Sequence, residues 1–186
     1  MYSRVLCVAG LVTIGLAAAA AQTPAPAPAA DPLSRVVQNG WNNVKRNLRE
    51  SAEQMPDANY AFKPVDTVKT FGEILAHTAG ANYAYCSMAK GEKTPFTEEY
   101  FEKNAKTRAD IIKAVNDSIA YCDGAYGTLT DAALAQTVAV PDSTRTVPRA
   151  QALLGNIAHD NEHYGNLVTY FRLKGMVPPS TARQTR

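Results

Sequence analysis

Residues 155–175 read GNIAHDNEHYGNLVTYFRLKG and hold two of the chain's three histidines, His159 and His163, four positions apart. Leu153, Ile157, Tyr164, Leu167, Val168 and Phe171 recur around them at helical spacing, so the stretch predicts an amphipathic helix. The helix is expected to begin near Pro148, a favoured first-turn residue, and to reach Lys174, where Gly175 and then Pro178 and Pro179 end it. At about 100° per residue the two histidines lie about 40° apart, on an arc nearly opposite the apolar stripe, together with Asn166 and Tyr170. That position excludes a simple core role. It leaves two readings open: a solvated face, or a pair of ligands whose ring nitrogens reach one ion at about 2.0–2.1 Å.

Working outward, three more blocks repeat their apolar residues at helical spacing, and none alternates with the period of a strand for long. Residues 34–54 carry Val36, Val37, Trp41, Val44 and Leu48. Residues 71–90 follow Thr70, which caps the helix with Glu73 as reciprocal partner, and Gly91 closes it. Residues 97–121 carry Phe101, Ala105, Ile112, Val115 and Ile119, with Gly124 as the expected stop. Residues 125–147 hold a short helical turn at 131–135 and an extended AQTVAVPDSTRT expected to lie across the bundle. The fold class that follows is all-α: a four-helix bundle with a long crossover connection before the last helix.

The remaining histidine, His77, falls in the second block on a face shared with Glu73, Ala81, Ala84 and Met88. Phe71, Leu75 and Cys86 project to the other side, so Cys86 is a poor ligand candidate. Carboxylates near the histidines are Glu73, Asp160 and Glu162. Glu162 is about 60° round the helix from His159 and is the candidate general base or imidazole-orienting group, whereas Asp160 reads as a solvated charge and Glu73 as a cap. Tyr170 is a further candidate hydrogen-bond donor; Tyr164 reads as core.

At the amino terminus, MYSRVLCVAGLVTIGLAAAAA places one arginine before an apolar run that ends in small residues, the layout of a cleaved signal peptide spanning 1–21. QTPAPAPAADP, residues 22–32, is an extended linker, and one domain is expected over 33–179 with a tail at 180–186. The expected location is periplasmic or secreted, with no stable membrane span after cleavage. In such an oxidising compartment Cys86 and Cys122, 36 positions apart, are permitted to pair, and two independent buried thiols are the alternative. With 19 Lys+Arg against 17 Asp+Glu, the net charge of +2 offers no field for nucleic acid. No Gly-rich phosphate loop, G-x-S-x-G elbow or paired CxxC occurs, so nucleotide binding and serine hydrolysis have no support.

From the Trp41 helix through FKPVDTVKTFGEILAHTAGANY to VPRAQALLGNIAHDNEHYGNLVTYFRLKGMVPPS, the sequence resembles the DinB/YfiT-like family of four-helix metalloproteins. The resemblance implies that His77, His159 and His163 together bind one divalent metal at one end of the bundle, zinc or nickel being the ions that suit such a set. The resemblance does not settle the activity: a divalent ion on three imidazoles with an open position suits a hydrolase or transferase acting on a small-molecule substrate, with a non-catalytic binding module as the alternative, and the resemblance allows a homodimer. Some relatives use low-molecular-weight thiols; those cofactors are cytoplasmic, and the export signal argues against one here.

Overall fold

The computed structural model describes residues 30–141 and 143–184. The expected signal peptide at 1–21 and nearly all of the linker lie outside the described residues. The elements run α1 (Pro32–Gln54), a 3-10 turn (Asp57–Asn59), α2 (Phe71–Lys90), α3 (Tyr100–Asn104), α4 (Arg108–Tyr126), α5 (Asp131–Ala135), β1 (Thr137–Ala139), β2 (Thr146–Pro148), α6 (Arg149–Leu173) and α7 (Pro179–Gln184).

Helices α1, α2, α4 and α6 form the bundle, with α2 and α1 each packed between α4 and α6. Helix α2 is apolar almost all round because both of its sides are covered, and it buries Phe71, Leu75, Ala79 and Cys86. Its start follows the expected cap: Glu73 N donates to Thr70 Oγ1, and Thr70 N donates to Glu73 Oε2. Gly91 ends it in the left-handed conformation, φ 72°, which glycine adopts without a Cβ penalty. In the core, Trp41 stacks on Tyr126 with ring centroids 4.7 Å apart, and its Nε1 donates to Asp123 Oδ1 at 2.7 Å. Phe71, Phe171, Leu48 and Leu153 are fully buried, each contributing about 1.5–3 kcal/mol. Val36, placed in the α1 stripe from sequence, instead faces outward.

Cys86 and Cys122 form a disulfide, with Cα atoms 5.3 Å apart, tying α2 to α4. The block expected as one helix over 97–121 is two. Thr107 caps α4 by accepting from Asp110 N, and Thr107 N donates to Asp110 Oδ2, so the local side-chain bonds outcompete a continuous helix. Helix α4 also passes the expected stop at Gly124 and ends at Tyr126, whose hydroxyl donates to the Leu153 carbonyl. The long connection before α6 contains α5 and a small antiparallel hairpin in which Val138 faces Val147. Beyond the domain end expected from sequence, Arg183 of α7 pairs with Glu50 of α1, and Tyr164 donates to Ser180. No helix among the described residues is long and apolar enough to cross a membrane.

Candidate metal centre

The face of α6 that carries the histidines is turned toward α2, not to solvent. Leu153, Leu167 and Phe171 enter the core on one side, while His159 and His163 meet His77 of α2 on the other. The Nε2 of His159 is 3.2 Å from the Nε2 of His77 and 3.2 Å from the Nε2 of His163. The three ligand nitrogens all lie within 4.8 Å of one another. Two nitrogens bonded to one tetrahedral ion at 2.0–2.1 Å are about 3.3 Å apart, so the spacing is that of neighbouring ligands.

The protonation pattern agrees. A carboxylate can only accept, so His77 Nδ1 carries the proton and donates to Glu102 Oε1 at 2.8 Å, leaving the Nε2 lone pair free to face the other rings. Burial, and after it the neighbouring His159 and His77 rings, lowers the His163 pKa to about 4, which keeps that imidazole neutral. Three imidazoles whose Nε2 atoms converge form a donor set that fits a divalent metal, which binds their unprotonated nitrogens.

Glu102 was not visible as a site residue from sequence. It comes from α3, and its other oxygen pairs with Lys69. Burial opposes its charge, but the hydrogen bonds from Lys69 and His77 outweigh that and hold its pKa below the usual carboxylate value. A second acid from the same connection, Glu98, brings Oε1 to 3.6 Å from His77 Nε2. Two features seat this segment. Gly80 lacks the Cβ that would stand 1.9 Å from the Glu98 carbonyl oxygen, and Phe96 and Phe101 pack on Tyr83 with centroids 4.9 and 5.7 Å away. Tyr85, another residue missed from sequence, places its ring 5.8 Å from that of His159. Burial and then the charges of Glu98, Asp160 and Glu162 raise its pKa, so the phenol keeps its proton.

The sequence-predicted carboxylates fare differently. Glu162 is exposed, and among the described residues no hydrogen bond or ion pair engages its side chain. Asp160, expected as a solvated charge, is fully buried: seven positions from both Leu153 and Leu167, it lies in the core-facing stripe of α6, with Oδ1 3.8 Å from His159 Nδ1. Burial raises its pKa to about 6. Glu73 is spent on the Thr70 cap. Tyr170 is buried and donates to the Lys69 carbonyl.

Beside His163 opens a cleft of about 400 Å³, lined by Val68, Lys69, Ile74, Asn166, Thr169 and Tyr170 among others. A larger cleft of about 490 Å³ reaches the centre only through Glu102, which is already engaged, so the smaller one is the better approach to the histidines.

The DinB superfamily profile matches residues 41–167, a span that contains all three histidines. No curated protein matches the chain. Among solved structures, YfiT from Bacillus subtilis, described as a probable metal-dependent hydrolase with an unusual four-helix bundle topology, is 17% identical with a TM-score of 0.59, over 83% of this chain and 94% of that one. A DinB-like protein from Bacillus subtilis, YjoA, is 19% identical with a TM-score of 0.59, over 76% and 93%. A mycothiol-dependent maleylpyruvate isomerase is 18% identical with a TM-score of 0.59 over 74% of this chain, which spans 61% of the isomerase's length. At such identities the likeness establishes the fold.

Proposed function

The chain belongs to the DinB superfamily, and on that footing we propose that it is an exported metalloprotein holding one divalent cation, zinc or nickel, on His77, His159 and His163, and that it hydrolyses or transfers a group on a small molecule. The convergence of three Nε2 atoms, with 3.2 Å separations from His159 to each of the others, carries this reading. Neutral imidazoles leave a bound divalent ion its full charge, which supplies Lewis acidity toward a substrate carbonyl or an attacking water. Glu102 fixes the tautomer and orientation of His77, and Lys69 keeps Glu102 ionised for that task. The cleft beside His163 offers Val68 and Ile74 to an apolar substrate body, and Asn166 and Thr169 as hydrogen-bonding groups.

The Cys86–Cys122 disulfide supports export, since such bonds persist in oxidising compartments. Export in turn favours hydrolysis over a thiol-dependent reaction. Fractionation together with the mass of the mature chain tests the location: an amino terminus at Gln22 in the periplasm or medium is expected, and an intact cytoplasmic chain would count against it. Elemental analysis of the purified protein beside His163→Ala tests the centre. One ion per wild-type chain and none in the variant is expected, and a metal-free wild type overturns the reading.

A second reading, a metal-binding module without turnover, has Glu98 in its favour, because a carboxylate 3.6 Å from His77 Nε2 can occupy the position a substrate would need. Screening the metal-loaded protein against ester, amide and phosphoester panels separates the two. The homodimer allowed by the family resemblance is tested by sizing in solution.

A further inference from the structure

We propose that Glu98 is a fourth protein ligand of the metal, a carboxylate carried on the connection between α2 and α3 that closes on the three histidines. This rests on the reading that His77, His159 and His163 hold a divalent ion. Glu98 Oε1 approaches Nε2 of His77, the same atom that meets His159 at 3.2 Å, whereas Glu102 takes the opposite ring nitrogen. Its 3.6 Å separation from His77 Nε2 is close to the roughly 3.3 Å between neighbouring ligands of a tetrahedral ion; Glu98 stands just outside the cluster of three nitrogens, so its exposed side chain has to turn inward to join them.

The other acids near the centre are committed or turned away. Glu102 is held by His77 and Lys69, Asp160 faces Nδ1 of His159 on the side away from its converging nitrogen, and Glu162 points outward. Glu98, about half exposed at its side chain, has no other polar partner among the described residues. Its backbone is nonetheless fixed, seated in the notch at Gly80 and flanked by Phe96 and Phe101 against Tyr83. A free carboxylate on a fixed backbone is the arrangement a ligand requires. Charge points the same way: three imidazoles contribute none, so a mostly buried dication gains from an anionic donor. Three nitrogens and one oxygen suit zinc, and turnover at such a centre requires Glu98 to give up its place to the substrate or the ion to take a fifth ligand.

The test measures zinc affinity by competition with a chromophoric chelator for the wild type, Glu98→Gln, Glu98→Ala, Glu162→Gln and His163→Ala, and records the visible spectrum of each cobalt-loaded protein. Glu98→Gln and Glu98→Ala are expected to bind zinc about 10–100-fold more weakly and to show an altered cobalt spectrum. Glu162→Gln is expected to match the wild type, and thermal unfolding of the metal-free Glu98 variants should be unchanged because that side chain is about half exposed. Wild-type affinity and an unchanged spectrum in both Glu98 variants, with His163→Ala still defective, overturn the Glu98 assignment alone. A wild type that takes no zinc or cobalt overturns the three-histidine reading and this ligand with it.

Discussion

The two walls of the histidine centre are built differently. One is α6, where a single run of five residues supplies His159, Asp160 and His163, their relative positions set by helical spacing. The other is the connection of residues 91–107, which brings Glu98 and Glu102 to His77 from outside its helix. The first wall is held by backbone hydrogen bonds repeating every turn. The second depends on a glycine notch, an aromatic cluster and the Thr107 cap that turns the chain into α4. Ligands on a helix are therefore placed by local structure, whereas the groups that orient and charge them are placed by tertiary fit.

Breaking the α6 wall should have the largest effect. His163→Ala removes a ligand, and bound metal, read by elemental analysis, is expected to fall from one per chain to less than about a tenth of that. The connection is spanned by the Cys86–Cys122 bond, and the double serine variant should lose about 3–4 kcal/mol of stability in chemical denaturation. Hydrogen exchange in that variant is expected to rise more over 91–107 than over α6. Gly80→Ala forces its Cβ against the Glu98 carbonyl and should cost about 1–3 kcal/mol while weakening metal binding, although it touches no histidine. Glu102→Gln keeps the shape but weakens the hold on His77, and zinc affinity is expected to drop about 10–100-fold.

The smallest effect is a pH dependence of the metal-free chain. Unfolded, His163 takes a proton below its ordinary pKa of 6.5, but folded only below about 4, so its contribution to stability grows as pH rises between those values. Asp160 works in the opposite sense: the folded chain keeps its proton up to about 6 while the unfolded chain releases it near 3.8, so this contribution shrinks over that interval. Denaturation of the chelator-treated protein should show the two opposing each other, and Asp160→Asn should unmask a steeper rise in stability toward pH 6.5. An unchanged slope in that variant would contradict the assignment.

Much of the bundle was readable from the chain. The Thr70–Glu73 cap, the Gly91 stop and the span of α2 follow from local rules, and the structure shows each of them. The same rules placed His159 and His163 on one face, and the family resemblance joined His77 to them. The break before α4 is equally local: the Thr107–Asp110 capping box outweighs the longer apolar pattern of residues 97–121. Asp160 is buried because, seven positions from both Leu153 and Leu167, it falls within the apolar stripe itself; its charge, not its place on the helix, suggests a solvated residue. Glu98 and Glu102 lie 21 and 25 positions from His77 in a connection with no periodicity of its own. The notch at Gly80 and the packing of Phe96 and Phe101 on Tyr83, contacts between segments distant in the chain, bring them there.

The central claim is that one metal ion joins the two walls. It is tested most directly by anomalous diffraction from crystals grown with zinc. One peak is predicted, about 2.0–2.1 Å from Nε2 of each of His77, His159 and His163. No peak between those three nitrogens, in a protein that otherwise folds as described, would contradict it.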